Sequence, residues 1–223
     1  MKKTILAVLA AFTMVASSFA LGVGVHASGD FGFGKTSANS TNKVPTVGYS
    51  VGAWLEVPLI KLPVLSIGLR PGFDLFENSG YSLLAVTGDR TNMTGFGYQV
   101  TASGLDVPVY LSLNAKLFIL KVSAGVGGYV SLPSDGKFSI TTYTFGNPIS
   151  PVVKDVEWNN GLMYGYTAYA NAGLSLGPVV LLLDVRTFIG ATPYELKTAV
   201  SNANITSFKR FDVEAGVAVE LSL

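Results

Sequence analysis

The chain has 223 residues, of which only 13% are charged, and its mean hydropathy is +0.45. It is too apolar for an ordinary soluble domain, in which about a quarter of the residues carry charge. The net charge of +1 offers no basic surface for nucleic acid, and the absence of cysteine excludes disulfides and thiolate chemistry. A chain of this length fits one all-β domain.

The N-terminus has the pattern of a secretory signal peptide. Two lysines precede an apolar segment at residues 5–15, and the small residues up to Ala20 supply a cleavage site. Cleavage after Ala20 is favoured over cleavage after Ala27, because a regular alternation begins directly after Ala20. A retained membrane anchor is the alternative. We assign residues 1–20 to the signal peptide and residues 21–223 to one barrel domain.

The rest of the chain lacks the run of about 18–20 apolar residues that a transmembrane helix needs. Instead, apolar and small or polar residues alternate with a period of two, which predicts β-strands with two different faces. Each strand is long enough to cross a bilayer, for which about 9–11 residues suffice. The predicted strands are residues 21–33, 47–57, 65–75, 98–113, 118–130, 158–176, 179–189 and 208–223.

The connections between these strands alternate in length. Tight turns are predicted at residues 58–63, Asn114-Ala115 and Gly177-Pro178. The long polar loops are predicted at residues 34–45, 77–97, 131–156 and 191–207. Short turns on one side and long loops on the other are typical of outer-membrane barrels. The sequence therefore predicts an all-β fold, an eight-stranded antiparallel up-and-down transmembrane β-barrel.

The composition of the two strand faces indicates which of them contacts lipid. One face is rich in Leu, Val, Ile, Phe and Tyr, too bulky a set for the interior of eight strands. The other carries mostly Gly, Ser, Asn and Thr with isolated charges. A soluble barrel with the apolar face inside is the alternative. The lipid-facing arrangement also predicts an aromatic girdle near the outer end, formed by Phe31, Phe33, Tyr49, Phe73, Tyr164, Tyr166 and Phe211.

The signal, the eight strands and the loop lengths resemble the small bacterial outer-membrane barrels of the OmpA, OmpX and OmpW type, over nearly all of the mature chain. Glu214, Gly216, Val219 and Leu221 resemble the insertion signal in the last strand of such barrels. Leu223 stands where many members end in Phe or Trp. The resemblance implies a bacterial outer-membrane location, contact with outer-membrane lipids, and use of the secretory translocon and the barrel-assembly machinery during biogenesis.

Charges on the second face are predicted to form a network inside the barrel. Buried charges must be paired or hydrated, because each costs several kcal/mol to desolvate. Arg70–Asp106 and Arg186–Glu214 are plausible cross-strand pairs. The structural hypothesis is a salt-bridge plug, and the functional alternative is a narrow polar pore. The predicted network comprises Glu56, Arg70, Asp74, Asp106, Lys121, Asp184, Arg186, Asp212, Glu214 and Glu220. Arg210 is a further basic residue that is predicted to face inward.

The sequence does not favour catalysis. The one histidine, His26, lies on the inward face near Ser28 and Asp30, where substrate access is poor, so we expect a packed or hydrogen-bonded residue. No metal, cofactor or nucleic-acid site is predicted. We expect a monomeric protein with a structural or adhesion-like role and an unknown surface ligand. A narrow pore or a transport barrel for small hydrophobic solutes is the alternative function.

Overall fold

The computed structural model describes residues 21–36, 43–87, 94–144, 147–148, 152–156, 158, 161–200 and 205–222. The predicted signal peptide and Leu223 lie outside these residues. In the described part of the chain, no helix is long and apolar enough to cross a membrane. The strands there are β1 (Gly22–Thr36), β2 (Lys43–Lys61), β3 (Leu65–Thr87), β4 (Thr94–Leu117), β5 (Leu120–Thr144), β6 (Asn147–Pro148), β7 (Val152–Val156), β8 (Met163–Leu176), β9 (Val179–Gly190), β10 (Tyr194–Val200), β11 (Ile205–Lys209) and β12 (Phe211–Ser222).

Eight of these strands close into a barrel. The wall runs β1-β2-β3-β4-β5-β8-β9-β12 and returns to β1, with each neighbouring pair antiparallel. At the closure, Val25 of β1 lies opposite Ala53 of β2 on one side and Val219 of β12 on the other. Closure gives the wall's backbone groups partners without an open edge, as a barrel in lipid requires. The predicted eight-stranded up-and-down barrel is confirmed.

The barrel is apolar outside and polar inside. Leu183 and Val217 are 69% and 61% exposed, whereas Asp184 and Glu214 on the same two strands are 1% and 0% exposed. The same alternation follows the other wall strands, as their period of two requires. A surface of exposed leucine and valine around buried carboxylates is the reverse of a soluble domain. It fits a barrel surrounded by lipid.

Most of the predicted aromatic girdle lies on the outer surface, towards the end of the barrel away from the tight turns. Phe73 is the exception, and its assignment to the girdle is wrong. It lies opposite Ala53, four residues further along β2 than Tyr49, and it is only half-exposed. The exposed girdle residues are Phe31, Phe33, Tyr49, Tyr164, Tyr166 and Phe211.

The predicted long loops are wrong in their bounds, because the strands continue well into them. β3 and β4 pair as far as Thr87 and Thr94, and β10 and β11 form a hairpin above β9 and β12. Where these extensions begin, the outward positions of β3 and β4 become polar, as at Glu77, Ser79 and Thr101. An apolar outer face therefore marks the part of the wall in contact with lipid, whereas the backbone ladder extends beyond it.

Two of the predicted tight turns are also misplaced. Pro58 and Lys61 pair with β3, and the chain reverses at residues 62–64 rather than over 58–63. Asn114 and Ala115 pair with β5 inside the ladder, and the chain reverses at Phe118 and Ile119 instead. Phe118 has a φ of 53°, a left-handed conformation that is uncommon for any residue except glycine. By contrast, the turn at Gly177 is confirmed, with a φ of 68° that glycine adopts without steric cost.

Candidate functional site: the charged barrel interior

The interior contains all ten residues predicted for the charge network, and none of them is more than 8% exposed. They do not form one continuous chain of pairs. They form layers along the barrel axis, with Arg186 and Arg210 each at the centre of a layer. His26 and Asp30 of β1 also lie among them. Buried charges of this density require partners, since each unpaired ion in a dry interior costs several kcal/mol.

Arg186 holds the central layer together. Its guanidinium lies 2.8 Å from Asp74 Oδ1, 2.9 Å from Asp184 Oδ2 and 2.7 Å from Glu214 Oε2. It also donates to the hydroxyl of Ser28 at 3.3 Å. The planar fork of an arginine can serve several acceptors at once, which an ammonium group cannot match.

Arg210, directly before β12, occupies the next layer towards the outer end. Its Nη1 is 2.6 Å from Asp106 Oδ2, and its Nε contacts Asp212. The amide of Asn78 donates to Asp212 at 3.1 Å. The ring of Phe76 lies beside the guanidinium, at 4.4 Å from its centroid, so this cation is held by both charge and π-electron density.

Arg70 lies below the central layer, between two aromatic rings. Its guanidinium carbon is 3.9 Å from the ring centroid of Trp54 and 4.0 Å from that of Tyr169. Trp54 stacks in turn on His26, whose Nε2 lies 2.9 Å from Asp74 Oδ1. His26 is thus a packed interior residue beside a buried carboxylate.

The inner end, where the tight turns lie, has its own polar group. Glu56 accepts hydrogen bonds from Ser112 and from Asn114, the second at 3.0 Å, and Lys121 pairs with Glu220. Glu56, Asn114, Lys121 and Glu220 border a cavity of about 280 Å³ at the barrel mouth. Next to it lies an apolar cluster formed by Trp54, Val180, Leu182 and Ala218.

The layers explain two features that sequence reasoning missed. The apolar inward residues of β9, which interrupt its polar face in the sequence, are Val180, Leu182 and Phe188, and all are buried. They fill the lumen between the charged layers. The predicted pair Arg70–Asp106 is wrong: Asp106 pairs with Arg210, and Arg70 lies 3.8 Å from Asp184. The Arg186–Glu214 pair is present.

The arginines reach across the barrel rather than along its wall. Arg186 on β9 contacts Asp74 on β3, and these strands are four apart in either direction round the barrel. Arg210 similarly reaches Asp106 on β4, four strands from β12. Interactions of this kind join opposite walls and occupy the cross-section between them. Eight strands leave an interior that side chains can fill, and here they do so with ion pairs.

A closed antiparallel barrel of eight strands, apolar towards lipid and filled with polar side chains, defines the class of small outer-membrane β-barrels, which lie in the bacterial outer membrane. No family model matches the sequence, and no curated protein matches it.

Three solved outer-membrane proteins are similar in structure over nearly their whole length. The barrel aligns with the neisserial surface protein NspA at 11% identity and a TM-score of 0.38, covering 90% of this chain and 97% of that one. OprG of Pseudomonas aeruginosa aligns at 8% identity and a TM-score of 0.43, covering 92% of this chain and 98% of that one. The protease OmpT of Escherichia coli aligns at 9% identity and a TM-score of 0.42, covering 91% of this chain and 96% of that one. The class of fold rests on the closure and inverted polarity of this chain's own barrel.

Proposed function

We propose that the protein is a sealed, non-catalytic outer-membrane barrel that holds its outer hairpins at the cell surface for an adhesion-like interaction. The observation that carries this proposal is the pair of arginines that join opposite walls. Arg186 and Arg210 each bind carboxylates of strands that face each other across the lumen. A solute passing through the barrel would have to separate these arginines from their carboxylates. Removing one partner of a buried ion pair typically costs about 3–5 kcal/mol.

The outer extensions support a role at the surface. Beyond the apolar band, outward positions carry polar groups: Tyr49 donates to Glu77 at 3.2 Å, and the hydroxyls of Ser79 and Thr101 lie 2.9 Å apart. From Glu77, β3 continues to Thr87, a distance of about 30 Å at roughly 3.3 Å per residue. The paired strands would carry the hairpins well clear of the lipid.

Membrane insertion is the second element of the proposal. The four insertion-signal residues lie on β12, with Val219 and Leu221 exposed on its outer face and Glu214 held inside by Arg186. We infer that the barrel-assembly machinery binds this outer apolar edge before β12 pairs with β1, after export through the secretory translocon. Because the inner face of β12 is occupied by ion pairs within one chain, the barrel is complete as a monomer.

Conductance across planar lipid bilayers tests the sealed lumen. We expect the wild-type barrel to show no steady conductance, and Arg186→Ala to admit ions in its folded fraction because a charged cross-link is lost. Lys137→Ala, which removes an exposed lysine outside the network, is the matched control and should behave as wild type. A steady wild-type conductance that Arg186→Ala alters would contradict the proposal and favour the narrow pore or small-solute transporter.

A further inference from the structure

The buried charges of the barrel interior do not balance. Among the described residues, eight buried carboxylates face four buried cations. In a dry interior, an excess of anions is relieved by a bound cation or by a proton that neutralises a carboxyl group. The carboxylates are Asp30, Glu56, Asp74, Asp106, Asp184, Asp212, Glu214 and Glu220, and the cations are Arg70, Lys121, Arg186 and Arg210.

Asp30 is the least satisfied of these carboxylates. It is 1% exposed, and neither of its oxygens has a hydrogen-bond partner. Its ion-pair contact is with Arg210, at 3.7 Å, and that guanidinium lies only 2.6 Å from Asp106. The nearby amide of Asn78 donates to Asp212 at 3.1 Å and also interacts with Asp30.

The register places Asp30 directly opposite Glu214 on the neighbouring strand, with both side chains inside the barrel. Two like charges at directly opposed positions repel each other. Glu214 is hydrogen-bonded on one oxygen only: Oε2 binds Arg186 at 2.7 Å and accepts from Ser50 at 2.9 Å. Its Oε1 has no hydrogen-bond partner and lies 3.7 Å from Nη2 of Arg210, the same distance as Oδ2 of Asp30 from that nitrogen.

We propose that Asp30 is a neutral carboxylic acid in the folded barrel and donates its proton to Oε1 of Glu214. A proton between these two groups removes one negative charge and supplies the donor that Glu214 Oε1 lacks. Two carboxylates that occupy one buried site characteristically hold a proton between them. The site therefore binds a proton, at a position where the interior has too few cations.

The groups that face this pair support a proton rather than a metal ion. In the described part of the chain, no set of three or more acidic or histidine side chains has the arrangement to hold a metal. The pair is surrounded on several strands by groups that bear on its charge: Ser50 on β2, Asp74 and Asn78 on β3, Asp106 on β4, Arg186 on β9, and Arg210 with Asp212 at the start of β12.

Infrared spectroscopy of the refolded, full-length mature barrel in lipid vesicles tests the proposal. A neutral carboxylic acid has a C=O stretch separate from the carboxylate and amide bands, and it shifts when hydrogen is exchanged for deuterium. We expect this band in the wild type at neutral pH and its loss in Asp30→Asn. Glu220→Gln, which removes a buried carboxylate paired with Lys121, is the control and should keep the band.

The pH dependence of unfolding gives a second measurement. If Asp30 is neutral only in the folded barrel, unfolding releases a proton, so the unfolding midpoint should fall as the pH rises through neutrality. Asp30→Asn should remove this contribution and fold at least as well as wild type at neutral pH. A wild type without the band, or a band that survives in Asp30→Asn, would overturn the proposal. A midpoint that instead rises with sodium concentration would assign the site to a monovalent cation.

Discussion

Replacing Arg186 with alanine is expected to lower the free energy of unfolding of the barrel by about 3–5 kcal/mol, the usual cost of removing one partner from a buried ion pair. The change leaves three buried carboxylates, Asp74, Asp184 and Glu214, without the guanidinium that they share. It also separates β9 from β3 on the opposite wall.

Denaturant unfolding in detergent or vesicles, followed by circular dichroism, measures this loss. Arg186→Lys retains the charge but not the planar fork, so it should recover only part of the stability. Lys137→Ala is the exposed control, and we expect a change within about 0.5 kcal/mol. If Arg186→Ala were as stable as Lys137→Ala, the arginine layers would not be what holds the interior together.

An arginine placed on the outer face should destabilise the folded barrel strongly at its middle and only slightly at its outer rim. Leu183 is 69% exposed and pairs with Val217 near the middle of β12. In lipid, Leu183→Arg should lower the free energy of unfolding by about 2–4 kcal/mol. Tyr49→Arg, in the aromatic girdle, should cost about 0–1 kcal/mol, because its charge reaches the headgroups and water.

Equilibrium folding into vesicles compares the two variants directly. The depth dependence is the informative quantity, since both substitutions introduce the same side chain at exposed positions. A soluble barrel would tolerate arginine equally well at either position. Equal and small costs for Leu183→Arg and Tyr49→Arg would therefore contradict the assignment of the apolar face to lipid.

The sequence pattern was sufficient to predict which side chains of the wall face inward. A period of two is a local property of an extended chain, so the phase of Glu214 and Arg186 follows from their own strands. The closing pair β1–β12 also follows, because an up-and-down barrel joins its first and last strands. The location of strand ends beyond the lipid was not predictable in this way. Thr87 belongs to β3 through its backbone pairing, which leaves no apolar signature.

The contacts across the lumen were the other part that the sequence did not define. Strand order gives neighbours, whereas Arg186–Asp74 and Arg210–Asp106 join strands on opposite sides. Which arginine pairs with which carboxylate depends on the length of the side chains and on their height in the barrel. The incorrect Arg70–Asp106 pair came from adjacent strands for this reason. Asp30 was placed on the inward face but left out of the charge network, and only the register shows that it opposes Glu214.

Labelling of the wild-type barrel with a lipid-soluble photoreactive carbene, read out residue by residue by mass spectrometry, tests the central claim most directly. The apolar face of β12 is exposed and its other face is buried. In bilayers, we predict labelling of Val217, Val219 and Leu221 and protection of Ala218 and Glu220. Labelling of Ala218 and Glu220 with protection of the odd positions, or no labelling of β12 at all, would contradict a barrel with its apolar face in lipid.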